Sequence, residues 1–401
     1  MKRLITLFAV VLFTTGLTAQ NVVPGGKETI KIKGFVGATM FLQDQSFKFG
    51  NGQNAEWANP PAHTDNKWFH GFDVRNTRLT LVFNGPEITK GWKLGGVIEM
   101  DFFGGELGSS VFAAQMPMPR LRLAYADFVH NNLRIRMGQA WTPMFGNVPV
   151  SVSHIAFPLG YGSAGFVGWR FPGIYLYWGL NSKESAVNIR MDAALFTGSW
   201  NGPGNNNNFL NAGNFGTPQM EVKFNFIAKS WTVYVVGHYD QKNLAPVNTT
   251  YESKLTGTAF ELGAKFHSGG FLAQGNFYTG KNIGQQFGAI TQVQDTSLDL
   301  HSMGGWVQIG YVFNKKLGVY GFLGGENVNH DDAVALFTSP RTKHLLYNFM
   351  VDYKLGAVTL GVEWLHSNLT YATKGGARAD DGYNDNTLGG NQFSLSCLYK
   401  F

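Results

Sequence analysis

Apolar and polar residues alternate along most of the chain with a period of two. The last stretch is the clearest, because its apolar positions are Phe393, Leu395, Cys397, Tyr399 and Phe401, separated by polar residues or, at one position, leucine. Successive side chains of a β-strand point to opposite faces, so such a row has one apolar and one polar face. The pattern predicts a strand here and in similar rows upstream.

The rows predict sixteen strands, most of about 10 to 13 residues; about 9 to 11 residues are needed to cross a bilayer at a tilt. The first six lie near 28–42, 70–84, 91–103, 117–129, 132–142 and 170–179. The apolar rows that mark the other ten span 187–195, 220–226, 231–239, 260–266, 271–277, 307–313, 317–323, 345–353, 358–364 and 393–401.

The predicted connections alternate between short and long. Short ones include "HNN", "AKS" and "NKK"; the long ones are 43–69, 104–116, 143–169, 198–217, 242–255, 281–300, 327–342 and 367–390. Short turns on one rim and long loops on the other are typical of outer-membrane barrels, and aromatic residues flank the short turns as an interfacial belt would. The sequence predicts an all-β, transmembrane, antiparallel up-and-down barrel of about 16 strands over residues 20–401.

Composition supports a surface that meets lipid. Charged residues make up only 14% of the chain, against about 25% in soluble domains. A secreted, glycine-rich β-sandwich is the alternative. The start of the chain has a cationic Met1-Lys2-Arg3, a short apolar run and a small-residue exit, which predicts a signal peptide over 1–19. The single Cys397 forms no internal disulfide, and a net charge of +6 is too small to indicate a nucleic-acid partner.

Alternation also predicts which charged residues face the bore. On 117–129 we expect Leu121, Leu123 and Tyr125 to point outward and the arginines between them inward. Applied to the neighbouring strands, the same alternation predicts which charged residues line the pore. They are Arg78, Arg120, Arg122, Arg134, Arg136, Arg190, Glu99 and Asp101, with Arg170 at the loop-side rim. Such a wall would favour anionic solutes. The alternative is that these arginines only pair with Glu99, Asp101 and Asp127.

The third long connection, 143–169, contains "GYGSAG", which has the letters of a dinucleotide fingerprint. The fingerprint requires a helix to follow, and here another strand follows, so we expect no nucleotide site. The connection is unusually apolar for an outside loop. We expect it to fold into the bore and narrow it, with Phe145, His154, Phe157 and Tyr161 as constriction residues; the alternative is packing against a neighbouring subunit.

The run "FDVRNTRLTLVFNG", followed by "GWKLGGVIEMDFFGG", "PRLRLAYADF" and "LRIRMGQAWTP", resembles the DcaP-like porins and the related phosphate-selective porins O and P. The resemblance is densest over 70–180. It implies a sixteen-stranded, trimeric outer-membrane channel for small anions such as dicarboxylates or phosphate. It also implies that Arg78, Arg120, Arg122, Arg134 and Arg136 form the basic pore wall.

We therefore expect a passive diffusion porin in the bacterial outer membrane, with no catalytic residue, cofactor, metal or nucleic-acid partner. Expected partners are membrane lipid and lipopolysaccharide, two further copies of the chain, small anionic solutes, and the barrel-assembly machinery, since a strand ending in an aromatic such as Phe401 resembles an assembly signal. Two alternatives stay open: a transporter for apolar or aromatic compounds, and a non-conducting structural or adhesive barrel.

Overall fold

The computed structural model describes residues 21–22, 29–48, 52–59, 68–104, 117–198, 218–244, 254–374 and 383–401. The predicted signal peptide, 1–19, lies outside these residues. The barrel strands are β1 (Thr29–Gln43), β2 (two segments, Phe69–Asp73 and Arg78–Thr89), β3 (Trp92–Gly104), β4 (Met118–His130), β5 (Leu133–Trp141), β6 (Arg170–Gly179), β7 (Asn188–Phe196), β8 (Gln219–Ile227), β9 (Trp231–Asn243), β10 (Lys254–Ser268), β11 (Phe271–Lys281), β12 (His301–Phe313), β13 (Leu317–Val328), β14 (Arg341–Leu355), β15 (Val358–Lys374) and β16 (Tyr383–Lys400).

Each strand pairs antiparallel with the next, and the sheet closes on itself. The closing pair is β16 with β1, which runs from Gln392 opposite Gln43 to Lys400 opposite Phe35. Both segments of β2 pair with β1, so they act as one strand of the barrel. Over the described residues this gives a closed sixteen-stranded barrel, which confirms the predicted fold class and strand number. Closure leaves no free sheet edge, as a bilayer requires.

Helix contributes little to the described part of the chain. One short α-helix, α1 (His330–Leu336), follows β13, and three-residue 3-10 turns lie at Gly52–Asn54, Gly284–Gln286 and Ala289–Thr291. Within the described ranges, no helix has both the length and the apolar character needed to cross a membrane.

The outer face of the barrel carries the apolar set of each alternating row. On β16, Leu395 is 54% exposed, whereas its neighbours Ser394 and Ser396 are buried toward the bore. The same alternation holds on β8, β12 and β15, where Val222, Ile309 and Val362 are exposed. A continuous exposed apolar belt of this kind is stable only against lipid.

The strand ends differ from the prediction at the last hairpin. A loop was expected over 367–390, but β15 extends to Lys374 and β16 begins at Tyr383, with the register unbroken from Val358–Tyr399 to Lys374–Tyr383. The apolar alternation ends near the membrane surface because polar residues take over there. Backbone pairing does not depend on that alternation and continues beyond it.

A β-bulge changes which side chains of β4 face the bore and which face outward. The register with β3 shifts between Glu99 and Met100, so that Glu99 lies opposite Leu123 while Met100 lies opposite Leu121. The extra residue turns the following side chains over. Leu121 points outward as expected, but Tyr125 faces the bore, where the Arg136 guanidinium lies 3.5 Å from its ring centroid. The prediction that Leu123 and Tyr125 point outward was wrong.

The connection between β5 and β6 lies inside the barrel and provides much of its core. We call residues 143–169 the inner loop. Its aromatic residues Phe157, Tyr161, Phe166 and Trp169 are buried in one cluster with inward-facing side chains of the wall. The hydrophobic core of this protein therefore sits within the bore, between the inner loop and the strands.

Candidate functional site

Arginines and carboxylates from β2 to β7 line one side of the bore, which we call the arginine wall. Its members are Arg78, Arg120, Arg122, Arg134, Arg136 and Arg190, with Glu99, Asp101, Asp127 and Asp192. The wall has two groups of ion pairs, one toward the long-loop rim and one toward the short-turn rim.

The first group centres on Asp101, which is fully buried. Arg120 lies opposite Asp101 in the strand register and donates two hydrogen bonds to its carboxylate, at 3.0 and 2.7 Å. Arg122 bridges both acids, since its Nε is 2.8 Å from Glu99 and its Nη1 is 2.7 Å from Asp101. Bidentate and bridging pairs of this kind fix side chains in orientation as well as in charge.

Arg78 on β2 lies at the edge of this group. Its Nε is 3.9 Å from Glu99, and its Nη2 donates to the carbonyl of Ile155 in the inner loop at 3.4 Å. Its guanidinium also lies 5.3 Å from the ring centroid of Phe35 on β1. Arg78 thus connects the arginine wall, the inner loop and the neighbouring part of the barrel.

The second group lies nearer the short-turn rim. Arg136 and Asp127 form a bidentate pair at 2.7 and 3.0 Å. Arg134 is 3.9 Å from the same carboxylate, which Arg136 already occupies, and its side chain is 48% exposed. Arg190 pairs with Asp192 at 2.7 Å and is 43% exposed. Arg134 and Arg190 are therefore the arginines of the wall that water reaches most freely.

Arg170 differs from the other arginines because it is buried at the start of β6 without a carboxylate partner among the described residues. Its guanidinium carbon lies 4.1 Å from the Trp169 ring centroid and 4.7 Å from that of Trp141. Its Nε and Nη1 have no hydrogen-bond acceptor in the described part of the chain. Cation–π contacts with the two indoles replace part of the stabilisation that an ion pair would give.

The first half of the inner loop follows the inner wall from β8 round to β2. Polar side chains of the wall hold its backbone at every stage. These contacts join Glu221 to Met144 (2.7 Å), Gln274 to Val148 (2.9 Å), Gln308 to Val150 (2.7 and 2.8 Å), Glu363 to Val152 and Ser153 (2.6 and 2.7 Å), and Asn76 to Ser153 and Ala156 (2.5 and 3.1 Å). The loop backbone is thus hydrogen-bonded although it is no part of the sheet.

The four residues predicted from the sequence to narrow the bore lie at different points of the inner loop. Phe145 stacks on Trp141 with ring centroids 3.6 Å apart, and the ring centroid of Phe157 lies 5.2 Å from the guanidinium carbon of Arg120. Tyr161 donates a hydrogen bond to the Gly168 carbonyl at 2.8 Å. His154 is buried beside Glu363, with 3.7 Å between its Nδ1 and the carboxylate. Phe145 and Phe157 therefore pack on the side of the arginine wall, Phe145 through Trp141 on β5 and Phe157 beneath Arg120. Tyr161 bonds within the loop, and His154 lies beside Glu363 on the far wall.

The second half of the loop approaches the far wall closely enough to require glycine. Gly165 has a φ of +90°, and a β-carbon there would lie 2.2 Å from the Gly305 nitrogen on β12. Nearby, Ser163 donates to the Glu56 carboxyl at 2.9 Å. Burial raises the pKa of Glu56 well above its ordinary value, because desolvation disfavours the ionised form.

Sequence reasoning missed the residues that hold the loop. The alternation of apolar and polar positions puts Glu221 and Glu363 on the bore side, where acids and lysines are mixed, and indicates no more than a hydrated wall. The alternation of apolar and polar positions could identify these glutamates as inward-facing, yet it does not show which backbone amides their carboxylates accept hydrogen bonds from. Glu326, which accepts from Ile290 at 2.7 Å and from Gly165 at 3.4 Å, belongs to the same class.

The chain is similar in fold to solved outer-membrane proteins. The outer membrane channel DcaP of Acinetobacter baumannii aligns with a TM-score of 0.70 at 18% identity, covering 95% of this chain and 99% of that one. An anion-selective porin from Comamonas acidovorans aligns at 0.58 and 12% identity, over 94% and 100%. The trimer form of OmpT, an outer membrane protein of Vibrio cholerae, aligns at 0.58 and 13% identity, over 94% and 100%.

No protein-family model matches the sequence, and no curated protein matches it. The alignments cover nearly the whole of this chain and nearly the whole of each solved structure. This chain therefore has the fold of a bacterial outer-membrane β-barrel channel.

Proposed function

We propose that this protein is an outer-membrane porin, a passive diffusion channel for small hydrophilic solutes with a preference for anions. The observation that carries the proposal is the arginine wall inside a closed barrel. Its six arginines face four carboxylates, which leaves an excess of positive charge along one side of the bore. Charged groups that line a narrow pore select solutes by sign.

The inner loop supplies the size limit. It follows the wall from β8 to β2 and then turns back across the bore, with most of its residues buried. Solutes would pass in the remaining space beside the arginine wall, within reach of Arg134 and Arg190. Phe145, His154, Phe157 and Tyr161 then act by shaping the loop, and Arg170 by stiffening its junction with β6. We expect a low conductance for a sixteen-stranded barrel.

The surroundings of the channel follow from the same fold. The apolar belt would sit in the outer membrane against lipid and lipopolysaccharide, and a trimer of chains is the assembly we propose by analogy with the trimer form of OmpT. Phe401 pairs with Gly34 through both backbone groups and leaves its ring 42% exposed. It would serve as the recognition signal for the barrel-assembly machinery. No catalytic role is proposed for any residue.

Reversal potentials in a salt gradient test the proposal. The wild-type channel should prefer chloride to potassium, and Arg134→Gln should reduce that preference. In water, a unit charge about 6 Å away changes the energy of an anion by about 0.7 kcal/mol, or about threefold in local concentration. Lys183→Gln removes an equal charge from a short turn and serves as the control. A wild-type channel that prefers cations, or an Arg134→Gln channel with unchanged preference, would contradict the role of the arginines.

A further inference from the structure

The bore has a second wall whose chemistry is opposite to that of the arginine wall. Near the short-turn rim, several strands direct an apolar side chain inward: Phe35 on β1, Leu272 on β11, Val312 on β12, Tyr320 on β13, Met350 on β14 and Leu398 on β16. Phe35, Leu272 and Val312 are only partly buried. Part of this surface packs against the inner loop. The interior of such a barrel is ordinarily polar, so the apolar surface that the loop leaves uncovered calls for a functional explanation.

The inner loop extends the same surface. Val150, Val152 and Ile155 pack against these wall residues, and Val148 beside them is 43% exposed. We call the nine packed residues, six from the wall and three from the loop, the apolar vestibule patch. Within the patch, Val150 and Ile155 of the loop are only partly buried, as are three of its wall residues, so the patch keeps uncovered apolar surface.

The arginine wall adjoins this patch directly. The Arg78 guanidinium lies 5.3 Å from the ring of Phe35 and bonds to the carbonyl of Ile155, and both of these residues belong to the patch. Further along the wall, Arg134 keeps a largely free guanidinium near the same rim. A solute in this part of the bore would meet an apolar surface on one side and arginine donors on the other.

We propose that this vestibule selects amphipathic organic monocarboxylates, that is, an anionic carboxylate joined to a compact apolar or aromatic body. The inference rests on the channel function proposed above and specifies its solute class. A fully hydrophilic anion leaves the apolar patch facing water, and a neutral hydrophobic compound leaves the arginine donors unused. A monocarboxylate such as benzoate satisfies both surfaces, since its carboxylate accepts from arginine and its ring covers the patch.

Block of the chloride current by added solutes measures this selection. In planar-bilayer recordings, benzoate should reduce the wild-type chloride current at a concentration about tenfold lower than lactate, because burying about 60 Å² of apolar area corresponds to about that ratio. Benzamide, which is neutral and similar in shape, should block no better than lactate.

Isosteric substitutions locate the effect. The variant Val150→Thr/Val312→Thr should lose most of the benzoate advantage while its chloride reversal potential stays the same. Val307→Thr makes the same change on β12 but on the lipid face, where Val307 is exposed, and should leave block unchanged. If the double variant does not assemble, Val150→Thr alone provides the same comparison, because Val150 is not in the sheet.

The outcomes separate the two proposals. A chloride current that benzoate and lactate block equally, or a benzoate advantage that survives Val150→Thr/Val312→Thr, overturns the vestibule inference and leaves the channel standing. A folded wild-type protein that passes no chloride overturns both.

Discussion

The attachment of the inner loop to the wall at Glu363 gives a sharp prediction. This carboxylate on β15 is buried and accepts hydrogen bonds from the backbone amides of Val152 and Ser153 at 2.6 and 2.7 Å, and from the Ser151 hydroxyl at 2.8 and 2.9 Å. Replacing it with alanine removes the acceptor of two loop amides and a loop hydroxyl, and also that of the Asn348 side-chain amide on β14. We expect Glu363→Ala to release this part of the loop from the wall.

The magnitude follows from the hydrogen bonds that are lost. A buried donor left without a partner costs about 1–3 kcal/mol, so the two amides of Val152 and Ser153 together cost about 2–6 kcal/mol. Even the lower limit changes the population of a detached loop about thirtyfold. Glu363→Gln is a milder change, because both amides bond to Oε1, which an amide carbonyl can replace. It should cost no more than about 1.5 kcal/mol.

Single-channel recording is the assay. Glu363→Ala should show a larger conductance and more open-channel noise than wild type, whereas Glu363→Gln should stay close to wild type. Asp352→Ala is the matched control, since Asp352 is also a buried, inward-facing acid but its Oδ1 has no hydrogen-bond partner in the described part of the chain. It removes a charge from the bore without touching the loop.

Two results would refute this reasoning. Equal conductance and noise in Glu363→Ala and wild type would show that Glu363 does not hold the loop in place. An equal rise in Asp352→Ala would show that loss of a lumenal charge, and not release of the loop, changes the current.

Three further predictions concern other contacts. Burial raises the pKa of Glu56 above its ordinary value of 4.5. The stability that the protonated Glu56 contributes is therefore complete below pH 4.5 and declines as the pH rises through the pKa of the folded state. Glu56→Gln should abolish this part of the pH dependence of the melting temperature. Gly165→Ala forces a β-carbon against Gly305 and should lower the melting temperature, while Gly321→Ala, where a β-carbon meets no atom of the described residues within 4 Å, should not. Phe401→Ser should reduce the yield of assembled barrel in outer-membrane fractions while the chain still refolds in detergent, and an unchanged yield would exclude Phe401 as the assembly signal.

The barrel could be predicted because lipid imposes a simple rule on sequence. Every strand must show an apolar face to hydrocarbon, and rows such as 393–401 record that face residue by residue. The rule fails where the backbone departs from regular pairing. The bulge opposite Glu99 and Met100 leaves no mark in the apolar pattern, so Tyr125 was assigned to the wrong face.

The candidate site was predictable only in part, for a related reason. The alternation along each strand places Arg120 and Asp101 on the bore side, and their strands are consecutive and therefore adjacent. Their pairing follows from these two facts. The partners of the inner loop are more than 70 residues distant in sequence from the backbone groups they bind, as Glu363 is from Val152. A buried carboxylate that accepts from backbone has the same sequence pattern as one that meets water, so sequence alone could not separate them.

The way the loop is held also explains why positive charge is concentrated on one side of the bore. Glu221 on β8 and Glu363 on β15 direct their carboxylates to backbone amides of the inner loop. Glu326 on β13 accepts from the amide of Ile290, in the connection between β11 and β12, as well as from Gly165 of the inner loop. Buried against these donors, they are held away from water and from solutes. The carboxylates of the arginine wall are shared among more arginines than they can neutralise, and Arg134 is the clearest case. A carboxylate-anchored loop and an arginine wall with excess charge are therefore complementary parts of one arrangement, in which the acids hold the loop and, in the function we propose, the arginines remain available to anions.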